Sequence, residues 1–149
     1  MEYFKDLVCP YTKQALELRN NYLVTKDKTR KYPIISNIPC FVEEKDIIIW
    51  NEYHENIYSD VPNPPHPYYK KFAEDWEIML DLGCGDGAMS AGCSYKVKHI
   101  YCVDPSLRAL KTLQKRGIQI MYPIVAKGEI YLLVTIFLTV YLIFLLLNI

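Results

Sequence analysis

The sequence predicts an α/β protein built on a partial, doubly wound parallel sheet, with a small amino-terminal β module before it and an apolar carboxy-terminal helix after it. Three observations lead to this fold class. Short apolar runs alternate with helical patterns between Ile78 and Met121, short extended segments fill residues 7–42, and an uncharged apolar stretch closes the chain. Strands that alternate with helices are typical of parallel sheets with right-handed crossovers.

These patterns divide the chain into four predicted parts. They are a β module over residues 1–45, a linker and lead-in helix over 46–76, a partial α/β domain over 77–129, and an apolar tail over 130–149. Four prolines in seven positions, residues 61–67, favour an extended linker and exclude a helix there. Aromatic side chains at helical spacing from Tyr68 to Trp76 predict a helix that packs against the sheet.

Composition limits the classes of function that the chain can have. The 149 residues carry 17 basic and 17 acidic side chains, so the chain has no net charge of the kind that marks a nucleic-acid-binding protein. The basic run at residues 26–31 is interrupted by Asp27 and predicts a solvated loop. Residues 1–6 are charged where the apolar core of a signal peptide would begin, which predicts a cytoplasmic protein.

The cysteines are predicted to be buried, reduced thiols, as in an intracellular protein. A structural zinc site needs four Cys or His ligands, and no paired Cys-x-x-Cys knuckle is present. We therefore expect no metal. The five positions are Cys9, Cys40, Cys84, Cys93 and Cys102.

Residues 78–87, IMLDLGCGDG, form the stretch around which the rest is organised. A mainly apolar run, residues 78–82, contains Asp81 near its end. It is followed by glycines at alternate positions, Gly83, Gly85 and Gly87. This pattern predicts a buried strand that breaks into a tight turn before a helix. Without Cβ atoms, the backbone of such a turn can come close to a polar or anionic ligand.

A second apolar run, residues 99–103, ends in Asp104 and is followed by Pro105 and a helical pattern with Ser106 as the predicted N-cap. In nucleotide-binding α/β folds, an acidic residue about 20 residues beyond the glycine turn accepts hydrogen bonds from ribose hydroxyls. The turn and Asp104 together predict one nucleotide pocket.

The motifs DLGCGDG and YCVDPS resemble the first two cofactor-binding motifs of class I S-adenosylmethionine-dependent methyltransferases of the methyltransferase-11 type, which have a Rossmann-like sheet. The nicotinamide fingerprint G-x-G-x-x-G would instead require glycine at Ala88. The resemblance implies that S-adenosyl-L-methionine binds, with Asp104 at its ribose and Asp81 near its methionine amino group. The cofactor-binding set it implies is Asp81, Gly83, Cys84, Gly85, Gly87, Asp104 and Pro105.

The amino-terminal third resembles the small zinc-ribbon-like module that occurs as an activator subunit of methyltransferases, and also fused ahead of bacterial and archaeal methyltransferase domains. The resemblance lies in the order LVCP, L-x-L, a strand, and then YPIISNIP. Metal-binding members carry C-x-x-C after the first strand, whereas here Cys9 is followed at the third position by Thr12. We therefore expect a metal-free variant held together by apolar contacts.

The last 20 residues, from Ile130 to Ile149, carry no charge, and about 20 apolar residues suffice to cross a bilayer as a helix. Lys115, Arg116 and Lys127 precede this stretch, so the positive-inside tendency would keep the body of the protein in the cytoplasm. One interpretation is therefore a tail-anchored membrane protein.

A second interpretation of the tail stays open. A complete domain of the resembling family has more strands than the three found before the tail, and the resemblance stops at residues 125–129. An abrupt change to apolar residues at that point is also what a frameshift would produce. Under this interpretation the chain is a truncated product that lacks the substrate half of the site.

The sequence thus predicts a methyltransferase, or its cofactor-binding fragment, that acts on an unidentified acceptor. The alternative is a non-catalytic methyltransferase-like binding or activator protein. No catalytic residue is identified, because none of His54, His66 and His99 lies in a motif that prescribes a general base. Methyl transfer needs mainly the in-line positioning of a nucleophilic acceptor, so the absence of a base motif does not exclude it.

Overall fold

The structure is a computed structural model that describes residues 2–71, 73–127 and 141–143. Over these residues the chain forms one antiparallel and one parallel sheet, each of four strands. Three α-helices and two short 3₁₀ helices accompany them in the described part of the chain. The 3₁₀ helices are Glu2–Asp6 and Tyr69–Lys71.

The amino-terminal module is an antiparallel meander of strands β1 (Leu16–Arg19), β2 (Tyr22–Thr25), β3 (Lys31–Ile35) and β4 (Ile38–Pro39). The strands neighbour one another in chain order. Two residues between β3 and β4 have positive φ, as a tight hairpin turn requires. The small β module predicted from the sequence is thus confirmed.

The parallel sheet consists of β5 (Ile78–Leu82), β6 (His99–Asp104), β7 (Met121–Val125) and β8 (Tyr141–Ile143). Its strand order is β7-β6-β5-β8, and every neighbouring pair is parallel. The predicted partial, doubly wound sheet is therefore confirmed. The chain order reverses between β5 and β8, and open sheets of this kind bind ligands at such a switch point.

Three helices flank the sheet: α1 (Glu44–Glu55), α2 (Ala88–Cys93) and α3 (Leu107–Gln114). The helix α3 begins as predicted, because the Ser106 side chain accepts a hydrogen bond from the Ala109 amide at 3.2 Å.

The lead-in segment differs from the prediction. Its helix is only the 3₁₀ turn Tyr69–Lys71, and residues 73–76 are not helical. Trp76 and Glu77 accept hydrogen bonds from Lys98 and His99 on the neighbouring chain segment. The carbonyls of Trp76 and Glu77 therefore already bond to the segment that leads into β6, so these residues are not available for the expected helix.

Part of the predicted apolar tail helix is a strand instead. Tyr141–Ile143 forms β8, whose residues pair with Met79, Leu80 and Asp81 of β5. An uncharged apolar run suits a parallel strand buried on both faces as well as it suits a helix, so hydropathy does not separate the two. The rest of the tail lies outside the described residues. Among the helices that the structure describes, none is long and apolar enough to cross a bilayer.

The β module covers one face of the parallel sheet. Tyr101, Val103 and Ile124 of the sheet belong to the same buried cluster as Leu23 and Ile34 of the module. Each of these side chains is less than 10% exposed. A meander of this size buries little apolar surface alone, so the parallel sheet supplies the surface that completes its core.

Three further contacts join the module and the 3₁₀ helix before it to the sheet. The Tyr3 ring stacks on the Tyr122 ring at a centroid distance of 4.8 Å, and the Tyr101 hydroxyl donates to an Asp6 carboxylate oxygen at 2.6 Å. The Phe41 amide donates to the Val125 carbonyl at 2.8 Å, just beyond the end of β4. The module and the sheet therefore form one packed body.

The cysteines of the module make no metal cluster. The Cys9 sulfur lies 3.1 Å from the Tyr32 hydroxyl and accepts a hydrogen bond from the Thr12 amide at 3.4 Å. In the ranges that the structure describes, no three Cys, His, Asp or Glu side chains lie close enough to hold a metal ion. All five cysteines are free and buried, as predicted.

Replacement of Leu23 by Ala should lower the free energy of unfolding by about 2–5 kcal/mol, because the side chain is fully buried in the shared core. The matched control is Leu18→Ala, which truncates an exposed leucine and should change stability by less than about 0.5 kcal/mol. Urea unfolding followed by circular dichroism and by tryptophan fluorescence should give one coincident transition. Two separate transitions would contradict a common core.

Candidate functional site

The glycine turn closes over the end of the neighbouring strand. The amides of Gly83 and Cys84 both donate to the Val103 carbonyl of β6, at 2.8 and 3.2 Å. Gly85 and Gly87 have φ values of 55° and 76°, a region that L side chains rarely adopt. The turn then leads directly into α2. The predicted strand–turn–helix is therefore present at the carboxyl edge of the sheet.

Asp104 joins the two sequence motifs. It ends β6 and is 3% exposed. One carboxylate oxygen accepts the Gly85 amide at 2.9 Å, and the other accepts the Ser106 amide at 2.8 Å. An ionised carboxylate can accept about four hydrogen bonds, so two backbone donors leave capacity for two more. The vicinal hydroxyls of a ribose would supply two such donors.

Asp81 lies at the end of β5 with its carboxyl group fully buried. The Ser90 hydroxyl of α2 donates to Oδ2 at 2.5 Å, whereas Oδ1 has no hydrogen-bond partner among the residues that the structure describes. Burial, followed by the nearby charge of Asp104, raises the pKa of Asp81 to about 6. A buried carboxylate oxygen without a donor is uncommon in folded proteins, and it suits an ammonium or amino group of a ligand.

Cys84 and Pro105 complete the predicted set. The Cys84 thiol is buried, and its pKa is raised above the usual range by burial and then by its hydrogen bond with Cys102. A thiol with a pKa raised in this way is protonated at neutral pH. Pro105 is half-buried between Asp104 and Ser106. The structure thus brings the predicted residues to one edge of the sheet, while their role toward a cofactor stays a prediction.

The turn is also held by a buried ion pair that sequence reasoning missed. Arg116 Nη2 lies 3.3 Å from Asp86 Oδ1, and the two side chains are 6% and 4% exposed. The other Asp86 oxygen accepts the backbone amide of Asn63 at 2.6 Å and its side-chain amide at 2.9 Å. The proline-rich segment is therefore tied to the glycine turn. No local motif signals this, because the partners are 23 and 30 residues from Asp86.

Helix α1 runs along the same edge. The Asn51 side-chain oxygen accepts the Arg108 amide at 2.9 Å, at the start of α3. Near the other end of α1, the Lys127 ammonium donates to Asp46 at 2.9 Å, just beyond β7. These two bonds fix α1 across the carboxyl ends of β6 and β7. The sequence had assigned no function to this helix.

His54 and Tyr58 follow from the end of α1 into the predicted pocket. His54 is 8% exposed, and its Nδ1 lies 3.8 Å from Asp104 Oδ1; in the described part of the chain this nitrogen has no hydrogen-bond partner. Burial lowers the pKa of His54, and the charge of Asp104 opposes this shift. The Tyr58 hydroxyl lies so close to Gly85 that it would overlap with a Cβ at that position. Burial, followed by the charges of Asp104 and Asp86, raises the pKa of Tyr58 to about 12.

The substitution Gly87→Ala should destabilise the protein more than Gly117→Ala. Both glycines have positive φ, which costs an alanine about 1–2 kcal/mol. A Cβ at Gly87 would also lie 2.7 Å from Met121 and 2.8 Å from Leu113 in the core, whereas a Cβ at Gly117 would meet no atom of the described residues within 4 Å. Urea unfolding should show an additional loss of roughly 1–3 kcal/mol for Gly87→Ala. Equal losses would contradict close packing behind the turn.

The substitution Asp81→Asn should stabilise the protein at pH 7.5 by roughly 1–3 kcal/mol, because it removes a buried charge. The pKa of Asp81 is raised from its ordinary value of 3.8 to about 6, so the folded state holds this proton more tightly than the unfolded state. The unfolding free energy of the parent protein should therefore fall as the pH rises from about 4 to about 6. Urea unfolding at several pH values should show the advantage of Asp81→Asn shrinking below pH 6. A pH-independent difference would contradict the raised pKa.

Comparison with known proteins gives only partial matches. No protein-family model and no curated protein matches the chain. Among solved structures, an rRNA methylase from Streptococcus thermophilus is 27% identical over 42% of this chain and 40% of its own, with a TM-score of 0.36. A precorrin 8W decarboxylase of Methanobacterium thermoautotrophicum is 22% identical over 46% of this chain and 41% of its own, with a TM-score of 0.34.

M. jannaschii TYW2 in complex with AdoMet is 13% identical over 80% of this chain and 50% of its own, with a TM-score of 0.38. The chain thus spans half or less of the length of these three proteins. Because the overlaps are partial, the function of this chain has to be inferred from the geometry of its own site.

Proposed function

We propose that this chain is an S-adenosylmethionine-dependent methyltransferase, or the cofactor-binding part of one, that transfers a methyl group to an unidentified acceptor. The observation that carries the proposal is the hydrogen bond from the Gly85 amide to Asp104. It joins the glycine turn to the acidic strand end across the carboxyl edge of two parallel strands. Ligands of open α/β sheets bind at this edge.

The polar groups of the site fit the two ends of an adenosyl sulfonium molecule. Asp104 has unused acceptor capacity for the two ribose hydroxyls. Asp81 offers a buried oxygen that no donor within residues 2–71, 73–127 and 141–143 reaches, which suits the amino group of the methionine part. The glycine turn lies between these two carboxylates in the chain, and its backbone can come close to a ligand.

The chain's own residues would contribute binding and orientation. When bound, the cofactor supplies an activated methyl group on a sulfonium sulfur. The two buried carboxylates orient its polar ends, so the remaining requirement is an acceptor atom placed in line. Ligands of open α/β sheets bind where the strand order reverses, here between β5 and β8, so we assign the acceptor to that part of the carboxyl edge.

The chain should bind S-adenosylhomocysteine, and Asp104→Asn should weaken this binding about 10- to 100-fold. The loss corresponds to about 1.5–3 kcal/mol for hydrogen bonds to a charged group. Isothermal titration calorimetry on the full chain measures the dissociation constant. The matched control is Asp75→Asn, because Asp75 is exposed and precedes β5 at the opposite edge of the sheet. It should bind like the parent chain.

Two results would contradict this proposal. One is the absence of binding both in the parent chain and in Tyr58→Ala, a variant that lacks the side chain lying over Gly85. The other is equal affinity of the Asp104→Asn and Asp75→Asn variants, since it would show that the ligand binds away from the glycine turn.

A further inference from the structure

We propose that the Tyr58 side chain, supported by His54, is a gate that competes with the cofactor for the space over Gly85. The inference rests on the proposed function, because it concerns access to the same site. No sequence motif indicates Tyr58, and the gate reduces the affinity of the chain for its cofactor.

The first observation is where Tyr58 lies. A Cβ built at Gly85 would overlap the Tyr58 hydroxyl and come within 2.9 Å of its ring carbons. The close approach that glycine permits at this position is therefore already made by a side chain of the same protein. A ligand that uses the Gly85 backbone has to displace this side chain.

The second observation is that His54 faces the other proposed contact of the cofactor. Its ring lies 5.1 Å from the Tyr58 ring in an edge-to-face arrangement, and its Nδ1 points to within 3.8 Å of Asp104. The His54 carbonyl accepts the Tyr58 amide at 3.0 Å, which fixes the two residues relative to each other. Together the two rings stand over both Gly85 and Asp104.

The third observation identifies the moving part. The backbone after Tyr58 is held to α3, because Thr112 donates to the Ser59 carbonyl at 3.1 Å and Lys115 donates to the Asp60 carbonyl at 2.8 Å. Further along, Asn63 is bound to Asp86 of the glycine turn. With the backbone held on both sides, rotation of the Tyr58 side chain opens the site with the smallest rearrangement.

This arrangement has a quantitative consequence. When only a fraction of molecules has an accessible site, the measured dissociation constant exceeds the intrinsic one by the inverse of that fraction. If the side chain closes the site in about nine molecules of ten, its removal should strengthen cofactor binding about tenfold.

The test is calorimetric titration of the full chain with S-adenosylhomocysteine. The variant Tyr58→Ala should bind about tenfold more tightly than the parent chain. The matched control is Tyr95→Ala, because Tyr95 is exposed and lies between α2 and the amino-terminal end of β6. It should bind like the parent. A thermal melt of each variant checks that it folds.

Tyr58→Phe gives a second measurement that depends less on folding. It keeps the ring and removes only the hydroxyl, the Tyr58 atom nearest to the Cβ position of Gly85. We expect affinity between those of the parent and Tyr58→Ala, and this order supports the gate.

The outcomes separate the two proposals. If the parent binds and both Tyr58 variants bind equally or more weakly, the gate is overturned and the proposed function stands. In that case Tyr58 is either neutral or a contact of the ligand. If neither the parent nor any Tyr58 variant binds, the proposed function fails, and the gate fails with it.

Discussion

The hydrogen bond between the Gly85 amide and the Asp104 carboxylate is the interaction on which the site depends. It spans 19 residues of sequence and joins two strands that are neighbours in the sheet. The glycine turn cannot move away from β6 while this bond and the two amide contacts with Val103 persist. The turn is thereby held in a shape in which its glycine backbone can come close to a ligand.

Holding that shape requires buried charge. Asp81 and Asp104 lie close enough that the charge of Asp104 contributes to the raised pKa of Asp81. Burial raises the pKa of both carboxyl groups, and only backbone amides, one serine and one histidine ring offset it. Such an arrangement lowers the stability of the protein, and it is typical of sites that are completed by a ligand.

The amino-terminal module has a structural role, because it completes the core on one face of the parallel sheet. Its apolar side chains pack directly on the face of the parallel sheet that carries Tyr101 and Val103. In a doubly wound fold, helices usually cover both faces. Here α2 and α3 pack on one face together with Ile38 and Cys40 of the module, while the rest of the module and the amino-terminal 3₁₀ helix pack on the other. A site on this sheet therefore depends on the module as well as on the helices.

The sequence by itself determined the strand, turn and helix around the glycines, the neighbouring strand, and the residues of the two motifs. Glycines at alternate positions after an apolar run, and Asp104 after the next run, predict a strand, a tight turn and a neighbouring strand end. These are local patterns with a local physical cause. Hydropathy alone was insufficient for residues 141–143, because an uncharged run fits either a membrane helix or a strand buried on both faces.

Only the tertiary structure decided what surrounds the site. The contacts of Tyr58 with Gly85, of Asn63 with Asp86, and of the module with the sheet all join residues far apart in the chain. Such contacts depend on where the elements pack relative to one another. Periodicity and motif spacing predict single elements, and they do not predict this placement. The physical reason is that burial and hydrogen bonding act between surfaces, and those surfaces exist only after the chain has folded.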